Sequence, residues 1–330
     1  MPSLAETYDV ALLDLDGVVY LGTHAVDHAA PALAEARLAG MRLAFVTNNA
    51  ARPPDAVAKH LTKLGVTAQP GEVVTSAQAA ARMLADMLPP GARVLVVGGE
   101  GLAAALRERG LTPVSGMDEK PAAVAQGFHP DVGWRLLAEG AYAVAAGLPW
   151  VASNADRTIP TPRGPAPGNG TLVDAVGAAT GREPLVAGKP EPPMHREAVL
   201  RTGARRPLVV GDRLDTDIEG ARRSKVDSLL VLTGVTDPVE LVRAPPQRRP
   251  TYVAADLRAL GQPAEDSALS AGRRRYGRHE AAVVDGRVVV RPSGHADGAP
   301  IDVLRAVCGA VWAEVGEPIT GVEAALATST

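Results

Sequence analysis

The stretch Asp14-Leu15-Asp16-Gly17 follows four consecutive aliphatic residues, Val10-Ala11-Leu12-Leu13, near the start of the chain. A short aliphatic run ending in acid reads as a buried strand that delivers carboxylates to its C-terminal edge. In open parallel sheets that edge borders the crevice where ligands bind. Side chains alternate along a strand, so Asp14 and Asp16 are expected on one side and Leu15 on the other. Two like charges that close repel unless a cation or a shared proton compensates. Mg²⁺, a hard cation that prefers oxygen ligands, is the simplest compensator.

Three later segments have the same character. Phe45-Val46-Thr47-Asn48-Asn49 is an apolar run ending in a hydroxyl and two amides, and Gly188-Lys189-Pro190 lies far downstream. Leu208-Val209-Val210-Gly211-Asp212-Arg213-Leu214-Asp215-Thr216-Asp217 is a third apolar run ending in acids. Strand ends that each offer one piece of a phosphate site fit one parallel sheet. In this order the four segments resemble the motifs of the haloacid dehalogenase (HAD) superfamily of phosphatases.

Composition narrows the function classes. With 46% hydrophobic and only 3% aromatic residues, the cores must be built from Ala, Val and Leu. A net charge of −3 argues against a dedicated nucleic-acid binder. The single cysteine, Cys308, rules out an intramolecular disulfide and fits a reducing cytoplasm. The N-terminus lacks a basic region and does not read as a signal peptide, and no apolar run approaches a membrane span.

The pattern alternates strand and helix: helices over 31–39 and 55–64, a strand over 43–46, and an Ala-rich helix capped by Ser76. A new α/β block follows, with strands over 93–97, 122–126 and 150–152 and helices over 102–109 and 134–146. A Pro/Gly-rich loop over 159–170 precedes a helix from Leu172 to Thr180. The core resumes with a helix over 193–202, a strand over 208–210, a helix over 216–224, and strands over 228–232 and 251–254. Residues 261–278 read as a polar linker, 281–290 as a hairpin around Asp285-Gly286, and 301–315 as an amphipathic helix. So short a tail could hardly fold alone, and it is expected to dock on the rest.

In HAD enzymes an insertion between the Thr47 and Lys189 motifs is a cap, and this one looks like subclass IIA. The resemblance implies an α/β fold: a Rossmann-like core with a parallel sheet (1–80 and 186–260), an inserted α/β cap of that subclass (81–185), a linker (261–278) and a small β-β-α appendage (279–330). It implies hydrolysis of a phosphomonoester through a phosphorylated Asp14, with Asp16 as general acid and then base. Mg²⁺ would lie between Asp14, the backbone carbonyl of Asp16, and Asp212. Thr47 and N–H groups around Asn48 would hold phosphate oxygens, Lys189 would neutralise charge, and Asp217 would support the metal or anchor Lys189. For selecting the leaving group, the cap offers Asp156, Arg157, Asn169, Phe128 and His129.

Other features read more plainly. Asp215 suits a helix N-terminus, His195 a helix surface, Cys308 an apolar packing position, and Arg273-Arg274-Arg275 with Arg278 a solvated linker. Gly99-Glu100-Gly101 with Ala104, after a strand, matches a dinucleotide fingerprint. A tight strand-to-helix turn explains it more simply, because no hydride-transfer constellation accompanies it.

The layout of core, IIA cap and small tail resembles bacterial glycerol-3-phosphate phosphatases, in which Gly-Asp-Arg-Leu-Asp-Thr-Asp-Ile-Glu-Gly-Ala is very similar to residues 211 to 221. That implies glycerol 3-phosphate as substrate. Phosphoglycolate, a sugar phosphate or a nucleotide monophosphate are the alternatives. The tail in those relatives looks like a truncated acetyltransferase-type fold; here it is too short for an acyl-CoA site, so no second activity is expected of it, and a regulatory or dimerising role is the alternative. The expected partner is a small phosphoester rather than nucleic acid or membrane, and the sequence is compatible with a homo-oligomer.

Overall fold

The computed structural model describes residues 1–161, 163–292, 300–314 and 319–327. The chain divides into two compact units, Met1–Leu43 with Ala204–Thr330, and Ala44–Gly203. Among the described residues no helix is long and apolar enough to cross a membrane.

In the first unit the strands Tyr252–Ala254, Asp227–Val231, Pro207–Gly211 and Val10–Leu13 lie side by side in that order, all parallel. Val10–Leu13 is buried at every position, as expected of a strand covered on both faces. Its register, Leu12 with Val209 and Leu13 with Val210, brings the ends of two acid-bearing segments level. The strand stops at Leu13, so the expected alternation through Asp16 does not hold. The left-handed Gly17 (φ 83°) turns the chain instead, into a short hairpin of Tyr20–Leu21 with His24–Ala25. That hairpin carries no aliphatic run and was not anticipated from the sequence.

The tail docks within this unit, as expected. Arg275–Tyr276, His279–Val284 and Arg287–Pro292 form an antiparallel sheet, and the hairpin turn is Asp285-Gly286, both at positive φ (49° and 71°), as a type I′ turn demands. The helix Pro300–Val311 buries Val303 to Ala310 without a break. One cluster holds Val303, Val307 and Trp312 together with Leu230 and Val253 of the parallel layer and Leu241 of the helix Pro238–Val242. At about 1.5–3 kcal/mol for each large apolar side chain removed from water, such burial suffices to hold a piece too small to fold alone. The stretch read as a linker differs: it carries the strand Arg275–Tyr276, with Ser267 and Tyr276 buried. Arg274, Arg275 and Arg278 are exposed, as expected, but Arg273 is half-buried and lies over the Tyr276 ring at 4.3 Å. Residue 315, at the end of the expected helix, lies outside the described residues.

In the second unit Leu185–Val186, Trp150–Ala152, Ala123–Gln126, Arg93–Val97 and Thr112–Val114 form a parallel sheet in that order. Phe45 and Thr47 pair with Val73 and Thr75. The unit also takes in residues 44–80 and 186–203, which the resemblance assigns to the core. One reason is a charge knot at Glu197, whose carboxylate is met by Arg82, Arg109 and Arg201. It ties the helices Ser76–Met87 and Pro192–Thr202 to the end of Glu100–Glu108. Two local expectations change. Thr75, not Ser76, caps its helix, through a capping box with Gln78. Part of the expected loop is a hairpin, Thr158–Thr161 with Gly164–Pro167; a two-stranded ribbon has open edges that tolerate proline.

Candidate active site

The acids gather in the first unit. The Asp14 N–H donates to Val210 O at 2.8 Å, so Asp14 continues the ladder one residue past the strand. Asp212 stands just beyond Pro207–Gly211, and Asp217 sits in the π-helical turn Leu214–Ile218. Asp14, Asp212 and Asp217 each offer a carboxylate oxygen within 4.8 Å of the others. Asp212 and Asp217 are buried and Asp14 is half-buried. Asp16 is exposed, beside Tyr20.

The backbone holds these acids closely. Asp212 Oδ2 accepts the Val235 N–H at 2.7 Å, and Asp217 Oδ2 accepts the Arg213 N–H at 3.2 Å. A Cβ at Gly17 or Gly234 would collide with the Asp212 carboxylate, and one at Gly211 with Asp217. Thr233 Oγ1 donates to Gly17 O at 2.5 Å, joining the loop after one strand to the turn after another. Three carboxylates at this separation, two of them buried, are unfavourable together without a cation. An all-oxygen donor set suits Mg²⁺, so the residues present fit the ion. Asp217, expected behind the ligands, offers its oxygen as near as the other two. Asp215 lies apart from them: burial works to raise its pKa, but the hydrogen bonds and charge of Arg213 outweigh that and hold it low.

The amides and the lysine gather in the second unit. Thr47, buried at the end of Arg42–Thr47, accepts the Asn49 N–H at 3.1 Å and keeps its own hydroxyl hydrogen to donate. Asn48 is the hub. Its Oδ1 accepts the Lys189 N–H at 2.8 Å while its Nδ2 donates to the Lys189 carbonyl at 3.1 Å. Nδ2 also meets both Asp156 carboxylate oxygens, at 3.1 and 3.2 Å. The Asn48 carbonyl accepts from Ser76 Oγ at 2.5 Å and Asn154 Nδ2 at 2.7 Å. Ser76, released from capping, thus fixes the motif. A Cβ on Gly188 would stand 2.7 Å from Asn48 Oδ1 and 2.6 Å from Ser153 O, which accounts for the glycine before the lysine. Lys189 itself is buried.

The remaining expected residues are placed as follows. Arg157 is exposed and pairs with Asp174. Asn169 is buried at the start of the helix Asn169–Thr180 and donates to Asn154 O at 2.7 Å, bracing the Asp156 loop. Phe128 and His129 are half-buried, and His129 Nδ1 accepts the Asp131 N–H at 3.2 Å. His195 is a correction: it is 1% exposed, not on a helix surface, because its helix also buries Met194, Glu197 and Ala198. The Gly-x-Gly turn is explained by contact: a Cβ on Gly99 would strike the His129 ring, and one on Gly101 would lie 2.5 Å from Ala50 O. Cys308 is buried, and burial pushes its thiol pKa far up, consistent with packing.

Residues 11–112 match the family described as haloacid dehalogenase-like hydrolase, and residues 186–260 a second one described as HAD-hyrolase-like. Residues 277–329 match a GCN5-related N-acetyltransferase like domain. The chain belongs to the haloacid dehalogenase-like hydrolases. It is 48% identical over 317 residues to the D-glycerol 3-phosphate phosphatase of Mycobacterium tuberculosis, covering 94% of this chain and 88% of that one. A crystal structure of a glycerol phosphate phosphatase from the same organism, in complex with magnesium, superposes with a TM-score of 0.91 at 46% identity, covering 100% and 99% of the two chains. An acid sugar phosphatase of Staphylococcus haemolyticus is 38% identical over 254 residues, 76% of this chain and 95% of that one.

Proposed function

We propose that this protein is a Mg²⁺-dependent phosphomonoesterase that hydrolyses glycerol 3-phosphate to glycerol and phosphate. The observation that carries the reading is the acid cluster in which Asp14 and Asp212 follow two adjacent parallel strands and Asp217 joins them from the helical turn after the second. Asp14 attacks phosphorus as the ester P–O bond breaks, forming an aspartyl phosphate. Asp16, exposed and able to exchange protons, protonates the leaving alkoxide. It then takes a proton from water as that water attacks the phosphoenzyme, releasing phosphate and restoring Asp14. Asp14, Asp212 and the Asp16 carbonyl hold the ion, with Asp217 beside them; when bound, it offsets the repulsion between carboxylate and phosphate. Thr47, the backbone N–H at Asn48, and Lys189 hold phosphate oxygens and neutralise their charge. Residues 81–185 act as the cap and 279–330 as the accessory piece. The substrate is a small metabolite, and the single cysteine supports a cytoplasmic location for the enzyme.

The choice of glycerol 3-phosphate rests on the likeness to the mycobacterial phosphatase over nearly the whole chain. The test is phosphate release from a panel of small phosphoesters with Mg²⁺, with and without a chelator. Glycerol 3-phosphate should give the highest kcat/KM, chelation should abolish turnover, and Asp14→Asn should lower kcat by about a thousandfold or more. A panel led by phosphoglycolate or a sugar phosphate would overturn the substrate. Turnover surviving in Asp14→Asn would overturn the mechanism.

A further inference from the structure

We propose that Asp156 is a positioning residue for Lys189, acting through Asn48, rather than a reader of the substrate. The inference rests on the phosphatase reading above and adds a role to a cap-loop carboxylate. The Asn48 carboxamide grips both polar groups of the Lys189 peptide unit, N–H with Oδ1 and C=O with Nδ2. That grip needs one orientation of the amide, because reversal would set donor against donor and acceptor against acceptor. Asp156 enforces the orientation. Its carboxylate oxygens lie 3.1 and 3.2 Å from Asn48 Nδ2, and a carboxylate accepts only from the NH₂ end of the amide.

Asp156 is itself held. Its N–H donates to Asn154 Oδ1 at 3.2 Å, and Asn154 Nδ2 reaches back to Asn48 O at 2.7 Å. Gly170 N donates to Asp156 O at 2.8 Å, and Gly168 and Gly170 have no room for a Cβ against the backbone of residues 155 and 156. A carboxylate fixed so tightly is suited to orienting one amide, and poorly suited to adapting to different leaving groups. The lysine backbone is therefore set by a relay from residue 156 to residue 48 to residue 189.

The experiment compares Asp156→Ala and Asp156→Asn with the parent in two measurements. The first is steady-state kinetics on glycerol 3-phosphate and on p-nitrophenyl phosphate. Asp156→Ala should lower kcat by about tenfold or more on both esters, with KM within about twofold. Asp156→Asn, which keeps an acceptor oxygen, should recover most of that loss. The second is hydrogen exchange at the Lys189 amide, which does not depend on catalysis. It should speed up by about tenfold or more in Asp156→Ala and stay near the parent rate in Asp156→Asn. Unchanged exchange in Asp156→Ala overturns the relay, as does a loss confined to one ester and carried by KM, which would make Asp156 a substrate contact. If the parent hydrolyses neither ester, the phosphatase reading falls, and the exchange measurement alone decides the relay.

Discussion

Replacing Glu197 with Gln should separate stability from catalysis in this protein. The Glu197 carboxylate is fully buried and contacts Arg82, Arg109 at 2.6 Å, and Arg201. Burial alone would raise its pKa. The hydrogen bonds from Arg82 and Arg201, and the charges of Arg201 and Arg109, outweigh that and hold it below the ordinary 4.5. Glutamine keeps the shape but leaves three guanidinium groups facing a neutral amide. Breaking a fully buried ion pair costs about 3–5 kcal/mol. The three arginine side chains are 20–26% exposed, so water recovers part of that, and about 2–3 kcal/mol is the reasoned loss. At about 2–4 °C per kcal/mol for a unit of this size, the unfolding midpoint should fall by about 5–10 °C at pH 7. The sign of the pH dependence follows from the lowered pKa. The stabilisation is present above the unfolded value and is lost as pH falls through the folded value, so parent and variant should converge on acidification below about 4.5. Differential scanning calorimetry across pH 3–8 would read both (an assay range of about that width suffices), and kcat at 25 °C should stay within about threefold of the parent. A midpoint shift under about 1 °C, or one independent of pH, would refute the argument that this carboxylate ties the second unit together.

Three further outcomes follow from the geometry. Gly17→Ala places a Cβ against the Asp212 carboxylate at a left-handed residue, so half-maximal activation should need about 10- to 100-fold more Mg²⁺; an unchanged midpoint in a metal titration counts against the cradle. Asp217→Asn should also weaken Mg²⁺ activation, whereas Asp215→Asn, whose partner is Arg213, should leave the midpoint within about twofold; equal effects would show that the two acids had been assigned wrongly. Val307→Asp buries a charge in the cluster shared by the tail and the parallel layer, so the first unit should lose about 3 kcal/mol or more, read as a lower unfolding midpoint; unchanged melting would mean the tail does not depend on that core.

The acid cluster was legible early, because a four-residue aliphatic run followed by Asp-x-Asp-Gly leaves few ways to place the acids. Strand periodicity, proline starts and glycine stops located most elements to within a few residues, since those signals are local. The misses came from contacts distant in sequence. Ser76 has the residue type of a cap, but its hydroxyl goes to Asn48, twenty-eight residues away. His195 has the residue type of a helix surface, but the Glu197 knot draws its helix inward. The residue types of Asp156 and Asn169 likewise gave no sign of their hydrogen bonds to Asn48 and Asn154.

By itself the sequence determined the alternation of elements and the oxygen-rich chemistry at the strand ends, because these depend on neighbouring residues and on which side chains are present. Only the tertiary structure decided that Asp217 stands level with Asp14 and Asp212, that Gly17, Gly211 and Gly234 are glycines to admit those carboxylates, and that Asn48 grips both polar groups of the Lys189 peptide unit. Each of these is a distance between residues far apart in the chain. Such distances are set by strand register and packing, which local sequence does not encode.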